Sequence, residues 1–210
     1  MGKLAALRKC AMLCILVLFA FPALAQAPQR TVLVFGDSLS AAYGLRTEDG
    51  WVALLAKKLD AEKPGWRVVN ASVSGETTAG GKSRIARALA EHQPHVLILE
   101  LGANDALRGL DLSLAQANLQ TIIDAAYAIN AKVLVAGVEM PPNYGPEYAA
   151  AFREMFRTLA EKNDAALLPF LLEPIARDLS WFQADTIHPT AAAQPKVLEH
   201  LWTALAPLLD

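Results

Sequence analysis

Cysteine is scarce: Cys10 and Cys14 are the only two in 210 residues, and both fall in the first fourteen positions. The rest of the chain can therefore form no disulfide, no thiolate metal site and no cysteine nucleophile, and its stability has to come from a packed core. Positive charge is short as well. Residues 1–25 hold Lys3, Arg8 and Lys9 and no acid, so beyond them 16 Lys and Arg face 21 Asp and Glu, a formal net charge of −5 that gives nucleic acid no footing. No internal repeat, low-complexity tract or interdomain linker interrupts the sequence.

What is present begins with the three basic residues ahead of an apolar run, Ala11–Ala25, that ends in Ala23-Leu24-Ala25. That order is the pattern of a secretory signal peptide. The run is shorter than the ~20 apolar residues that span a bilayer and carries Pro22, which argues against a permanent membrane anchor. The expectation is cleavage after Ala25 and an exported protein, periplasmic or secreted. The 185 residues 26–210 that remain suit one domain able to bury its own core.

Short apolar, β-branched runs alternate with longer helical stretches, which is the βαβ rhythm. Strands are expected at Thr31–Phe35, Arg67–Ala71, His95–Leu101, Lys132–Val138 and Ala165–Phe170. Runs that are apolar throughout, such as Val96-Leu97-Ile98-Leu99, point to a parallel sheet covered on both faces. Helices are expected at Trp51–Glu62, Lys82–His92, Ser113–Ile129, Glu147–Asn163 and Ala191–Leu208, with the stretch after Glu173 unassigned. The fold class is α/β, a three-layer α/β/α domain on a five-stranded parallel sheet.

Ligands of such sheets bind beyond the carboxyl ends of the strands. After the first strand stands Gly36-Asp37-Ser38-Leu39-Ser40. Gly36 permits a sharp turn there, and Ser38 is placed where a helix would begin, a setting that suits a nucleophile and equally suits a helix N-cap. Gly75 follows the second strand, where a main-chain N–H can approach an oxyanion, although glycine there also serves ordinary turns. Asn104, in Gly102-Ala103-Asn104-Asp105 after the third strand, offers an amide donor for developing negative charge or a turn-forming side chain. Asp185-Thr186-Ile187-His188-Pro189 is the most specific segment. Its spacing lets the carboxylate fold back onto one imidazole nitrogen and leaves the other free to take a serine proton, or forms a purely structural pair.

Together these blocks resemble the SGNH hydrolases, also called GDSL esterases and lipases, and most closely their bacterial thioesterase, lysophospholipase and arylesterase branch. The resemblance covers Val32–Gly44, Val69–Gly80, Leu99–Gly109 and Ala184–Pro195, with Pro142-Asn143-Tyr144-Gly145 matching a further segment. It implies a flavodoxin-like fold and a catalytic triad of Ser38, His188 and Asp185. It implies an oxyanion hole from the main-chain N–H of Ser38, the main-chain N–H of Gly75 and the Asn104 side chain, with no cofactor and no metal. Position and resemblance together place Met140, Pro141, Pro142 and Tyr144 on an acyl-binding wall. Ala103 and Glu76 depart from the pattern, standing where glycine and aspartate are frequent.

Other readings fare less well. A phosphate loop ending at Gly81-Lys82-Ser83 would need its first glycine at position 76, which is Glu76. The Gly-x-Ser-x-Gly elbow of the α/β-hydrolases is absent, since Leu39-Ser40 follows Ser38. His92 and His95 are separated by Pro94 and lack supporting ligands, and His200 sits on an amphipathic helix with Leu198, Leu201 and Leu205. The expected function is hydrolysis of carboxylic esters or thioesters of small molecules or lipids through an acyl-enzyme on Ser38. The alternatives are a carbohydrate deacetylase and a catalytically silent envelope binding protein on the same scaffold.

Overall fold

Each of the five apolar runs forms a strand: β1 (Arg30–Gly36), β2 (Trp66–Asn70), β3 (Val96–Glu100), β4 (Lys132–Ala136) and β5 (Ala166–Leu168). These strands come from a computed structural model that describes residues 29–210, so the signal-peptide reading lies outside the described residues. All pairings are parallel and the order is β2-β1-β3-β4-β5, the flavodoxin-like order. The helices between them are α1 (Trp51–Glu62), α2 (Thr78–His92), α3 (Ala103–Leu107), α4 (Leu112–Tyr127), α5 (Pro146–Asn163) and α6 (Gln194–Leu205).

Right-handed crossovers put α1 and α6 together on one face of the sheet and α2, α4 and α5 on the other. The central strands are covered on both sides, as their unbroken apolar sequences require: every residue of β3 is buried, and Val32, Leu33, Val34 and Phe35 of β1 are fully buried. Each such large apolar side chain contributes roughly 1.5–3 kcal/mol by leaving water. The edge strands differ. β2 keeps Arg67 and Asn70 exposed and β5 is only half-buried, because an edge strand has a neighbour on one side alone.

Three local expectations are corrected. α2 begins at Thr78 rather than Lys82, although Gly80 and Gly81 are poor helix formers. Thr77 caps it by accepting the Gly80 N–H at 3.3 Å, and a Cβ on Gly81 would lie 2.5 Å from Leu101, so the missing side chain lets this end of the helix approach the sheet. The segment Gly102–Asp105, for which no helix was expected, enters the short helix α3. The C-terminal helix is confined to α6 and flanked by single 3₁₀ turns, Ala191–Ala193 and Ala206–Leu208, with Pro195 in its first turn and Pro207 in the turn that ends it.

Candidate active site

β1 and β3 end side by side, with Gly36 opposite Glu100 in the register. The strand order reverses between them, and it is there that sheets of this topology place their ligands. The chain after β1 does not start a helix, contrary to the sequence expectation; residues 38–44 form successive turns. Asp37 Oδ1 accepts the Leu39 N–H at 3.0 Å at the start of this segment, and Ala42, with a left-handed φ of 57°, breaks any helical continuation. No helix dipole therefore acts on Ser38. Gly36 is not a sharp turn either. It is the last residue of β1, and its value is space: a Cβ there would stand 2.6 Å from Glu100 Oε2. The turn is tied down from α1, whose Trp51 indole N–H donates to the Leu39 carbonyl at 3.1 Å.

Asp185 and His188 lie in a loop closed on itself. Gln183 N–H donates to the His188 carbonyl and Thr190 N–H to the Trp181 carbonyl, each at 2.8 Å, and Thr186 turns the chain with a φ of 58°. Asp185 Oδ1 accepts the N–H groups of both Ile187 and His188 at 3.0 Å, while Oδ2 lies 2.7 Å from His188 Nδ1. The other ring nitrogen, Nε2, is 2.8 Å from Ser38 Oγ. The loop is joined to the turn after β1 through Gln183, whose amide donates to the carbonyls of Tyr43 and Pro189. The Tyr43 ring rests against the imidazole at 4.4 Å between centroids. Partial burial works to raise Asp185, but the N–H groups of His188 and Ile187 and the imidazole outweigh it and hold the carboxyl at about 2. Asp185 is thus an anion whenever an imidazolium forms beside it.

Asn104 arrives on α3. Its Nδ2 donates to Asp37 Oδ2 at 2.9 Å, which occupies one of the two amide hydrogens and leaves the second for another acceptor. Asp37 is itself buried. Burial pushes its carboxyl up to about 6, against the lowering effect of the Leu39 N–H, the Asn104 amide and His188. Gly75 has a left-handed φ of 77°, and its carbonyl accepts the Arg108 guanidinium at 2.9 Å. Gly75 is not part of the cavity wall described next, whereas Ser38, Asn104 and His188 are.

That wall encloses about 780 Å³ above the strand ends, and it includes Leu107, Val138, Met140, Phe170, Leu172 and Ile187. Pro141 and Tyr144 also line it; the Tyr144 hydroxyl donates to the Leu107 carbonyl at 3.2 Å. Sequence reasoning missed Asp37, Tyr43, Glu100 and Gln183. The first two lie within the very segment that carries Ser38, but their partners are distant in the chain.

The discarded motifs have structural employment. At the start of α2, Asp105 accepts both the Thr78 N–H and the Thr78 hydroxyl, at 2.8 and 2.6 Å, so this helix end is filled by a carboxylate of the protein. Glu76 pairs with Arg84 at 2.6 Å. His95 Nδ1 accepts the Thr31 N–H, and His200 Nε2 lies 3.0 Å from the Phe170 carbonyl. No cluster of three or more metal-ligating side chains occurs among the described residues.

A family model described as the GDSL-like Lipase/Acylhydrolase family matches residues 34–194. Esterase TesA of Pseudomonas aeruginosa is 50% identical over 184 residues, covering 88% of this chain and 92% of that protein. Thioesterase 1/protease 1/lysophospholipase L1 of Escherichia coli is 38% identical over 195 residues, covering 93% and 91% respectively. A crystal structure of TesA superimposes with a TM-score of 0.83 at 49% identity, covering 85% of this chain and 99% of that one.

Proposed function

The chain belongs to the GDSL-like lipase/acylhydrolase family and is a serine hydrolase of carboxylic ester or thioester bonds; from that premise we propose that Ser38 is its nucleophile, His188 its general base and Asp185 the group that orients the base. The observation that carries this reading is the continuous chain Asp185–His188–Ser38, with links of 2.7 and 2.8 Å, ending on the wall of an apolar cavity.

Ser38 Oγ attacks the acyl carbonyl while its proton passes to His188 Nε2. Asp185 keeps the Nδ1–H tautomer and stabilises the imidazolium. Negative charge gathers on the carbonyl oxygen, where the free Asn104 amide hydrogen and the N–H groups of Ser38 and Gly75 donate to it. The imidazolium returns its proton to the departing alcohol or thiol, leaving an ester on Ser38. Water then attacks that ester with His188 again taking the proton, and the acid product leaves.

The apolar lining supports an extended acyl group as the recognised part of the substrate, of the aryl ester, acyl thioester or lysophospholipid kind, over an acetylated sugar. We also propose that residues 1–25 are a cleaved export signal and that 26–210 is the mature domain; no helix among the described residues is long and apolar enough to cross a membrane. A panel of aryl esters, acyl-CoA thioesters, lysophospholipids and acetylated sugars tests the substrate, with kcat/KM expected to rise with acyl length beyond acetyl. Ser38→Ala tests the nucleophile: turnover and fluorophosphonate labelling should vanish while Tm stays nearly unchanged. Labelling retained in that variant would sink the assignment.

A further inference from the structure

Glu100, the last residue of β3, is fully buried beneath the turn that carries Ser38. A single oxygen, Oε2, accepts both the Asp37 N–H at 3.3 Å and the Ser40 hydroxyl at 2.7 Å. The two donors come from either side of Ser38. The other oxygen, Oε1, is buried with no hydrogen-bond partner among the described residues. The carboxyl also occupies the space that a side chain at position 36 would need, which is why the register partner is glycine.

Glu100 and Asp37 thus lie against each other in the interior, and neither forms an ion pair with a Lys or Arg among the described residues. The charged neighbour that acts on Glu100 is Asp37; those that act on Asp37 are His188, which favours its anion, and Asp105, which opposes it. Two carboxylates in one buried site cannot both ionise without a cation. The donors decide which one keeps the charge. Asp37 has an N–H on each oxygen, from Leu39 and Asn104, whereas half of the Glu100 carboxyl has none. Burial first, and then the charge of Asp37, push Glu100 well above the usual carboxylate range.

We propose that Glu100 is a positioning residue for the reaction: as a neutral acid it clamps the main chain on both sides of Ser38 and leaves Asp37 as the carboxylate that aims the Asn104 amide. This rests on the reading of Ser38 and Asn104 given above. Glu100 touches no reacting atom; it acts through Asp37 and Ser40.

The experiment compares the wild type with Glu100→Gln, Glu100→Ala and Ser38→Ala, using a soluble aryl ester for kcat and KM and thermal unfolding across pH. A neutral amide replaces a neutral acid with little disturbance, so E100Q should keep kcat within about threefold. The sign of the stability effect follows from a raised native pKa: the wild type loses stability as pH climbs toward that pKa, and the glutamine does not. E100Q should therefore gain in Tm over the wild type as pH rises from about 5 to about 9. E100A should lower kcat about tenfold or more at unchanged KM, a share of the loss expected when an oxyanion donor is removed outright. If E100A does not fold, Ser40→Ala removes one arm of the clamp and should show the same split between kcat and KM. An E100Q variant as slow as E100A, or one with no gain in Tm at alkaline pH, would mean a working carboxylate and would overturn the proposal. Wild-type kcat in E100A, or in S40A where it stands in, would overturn it too. Turnover by S38A sinks the nucleophile instead, and the unfolding curves still read the charge of Glu100 independently of it.

Discussion

Asp185 and Asp37 are both acids beside the same imidazole, yet their surroundings drive them apart, Asp185 down to about 2 and Asp37 up to about 6. The difference is one of donors against burial. Asp185 accepts two main-chain N–H groups in a partly open loop, so the stability it contributes is present above the ordinary carboxylate range and lost only as pH falls through about 2. Asp37 behaves in the opposite sense, its contribution being present in acid and lost as pH rises through about 6. On the proposed mechanism His188 accepts the Ser38 proton only when uncharged, so acid should switch the enzyme off. Asp185→Asn should lower the plateau of kcat/KM by up to about 10⁴, because the wrong tautomer becomes competitive. The profile of kcat/KM from about pH 4 to about pH 9 for both proteins checks it, and an unchanged plateau would remove Asp185 from the site. The pairing itself was legible in the sequence, since its three-residue spacing lets a single turn close it. Asp37 with Asn104 was not, because 67 positions separate them and only adjacent strand ends bring them together.

Among the elements, α3 is five residues long and could not persist alone. Its neighbours hold it. Asp105 reaches the first turn of α2, Tyr144 and Tyr148 donate to the carbonyls of Leu107 and Ala106, and Arg108 bonds the Gly75 carbonyl, so the loop after β2 and the helix bearing Asn104 are braced against each other. Asp105→Ala would leave the buried Thr78 N–H and hydroxyl without that acceptor, at a cost of about 3 kcal/mol. The expected result is a Tm lower by several degrees and a reduced kcat, read by thermal unfolding and by turnover of an aryl ester. An unchanged Tm would show that this brace is not needed. The long elements could be read from their periodicity, and α1 has the limits expected from sequence. Short pieces were misread where local preference and tertiary contact disagree. Gly80-Gly81 looks like a loop and becomes helix because Thr77 caps it and a side-chain-free face meets Leu101. The residues after Ser38 look like a helix start and become turns, broken by the left-handed backbone at Ala42.

At the scale of the whole molecule, the sheet order makes one site from residues spread over 151 positions, Ser38 to His188 inclusive, by ending β1 and β3 side by side and folding the loop after β5 back to Tyr43. The export proposal also belongs to this scale. Material recovered outside the cytoplasm should begin at Gln26, and N-terminal sequencing decides it, since an intact Met1 end would mean an uncleaved anchor. By itself the sequence determined the layer architecture, because apolar runs of strand length alternating with helical periods leave few other ways to bury their faces. It also determined the chemical kinds at the strand ends: a serine, an amide, and an aspartate three residues before a histidine. Only the tertiary structure decided that the serine and the histidine come within hydrogen-bond reach and that the amide spends one hydrogen on Asp37. It alone showed a glutamic acid sealed beneath the turn that carries Ser38. The reason is range: hydrophobic period and turn spacing act over a few residues, whereas contacts between strand ends exist only once the crossovers have set which strands are neighbours.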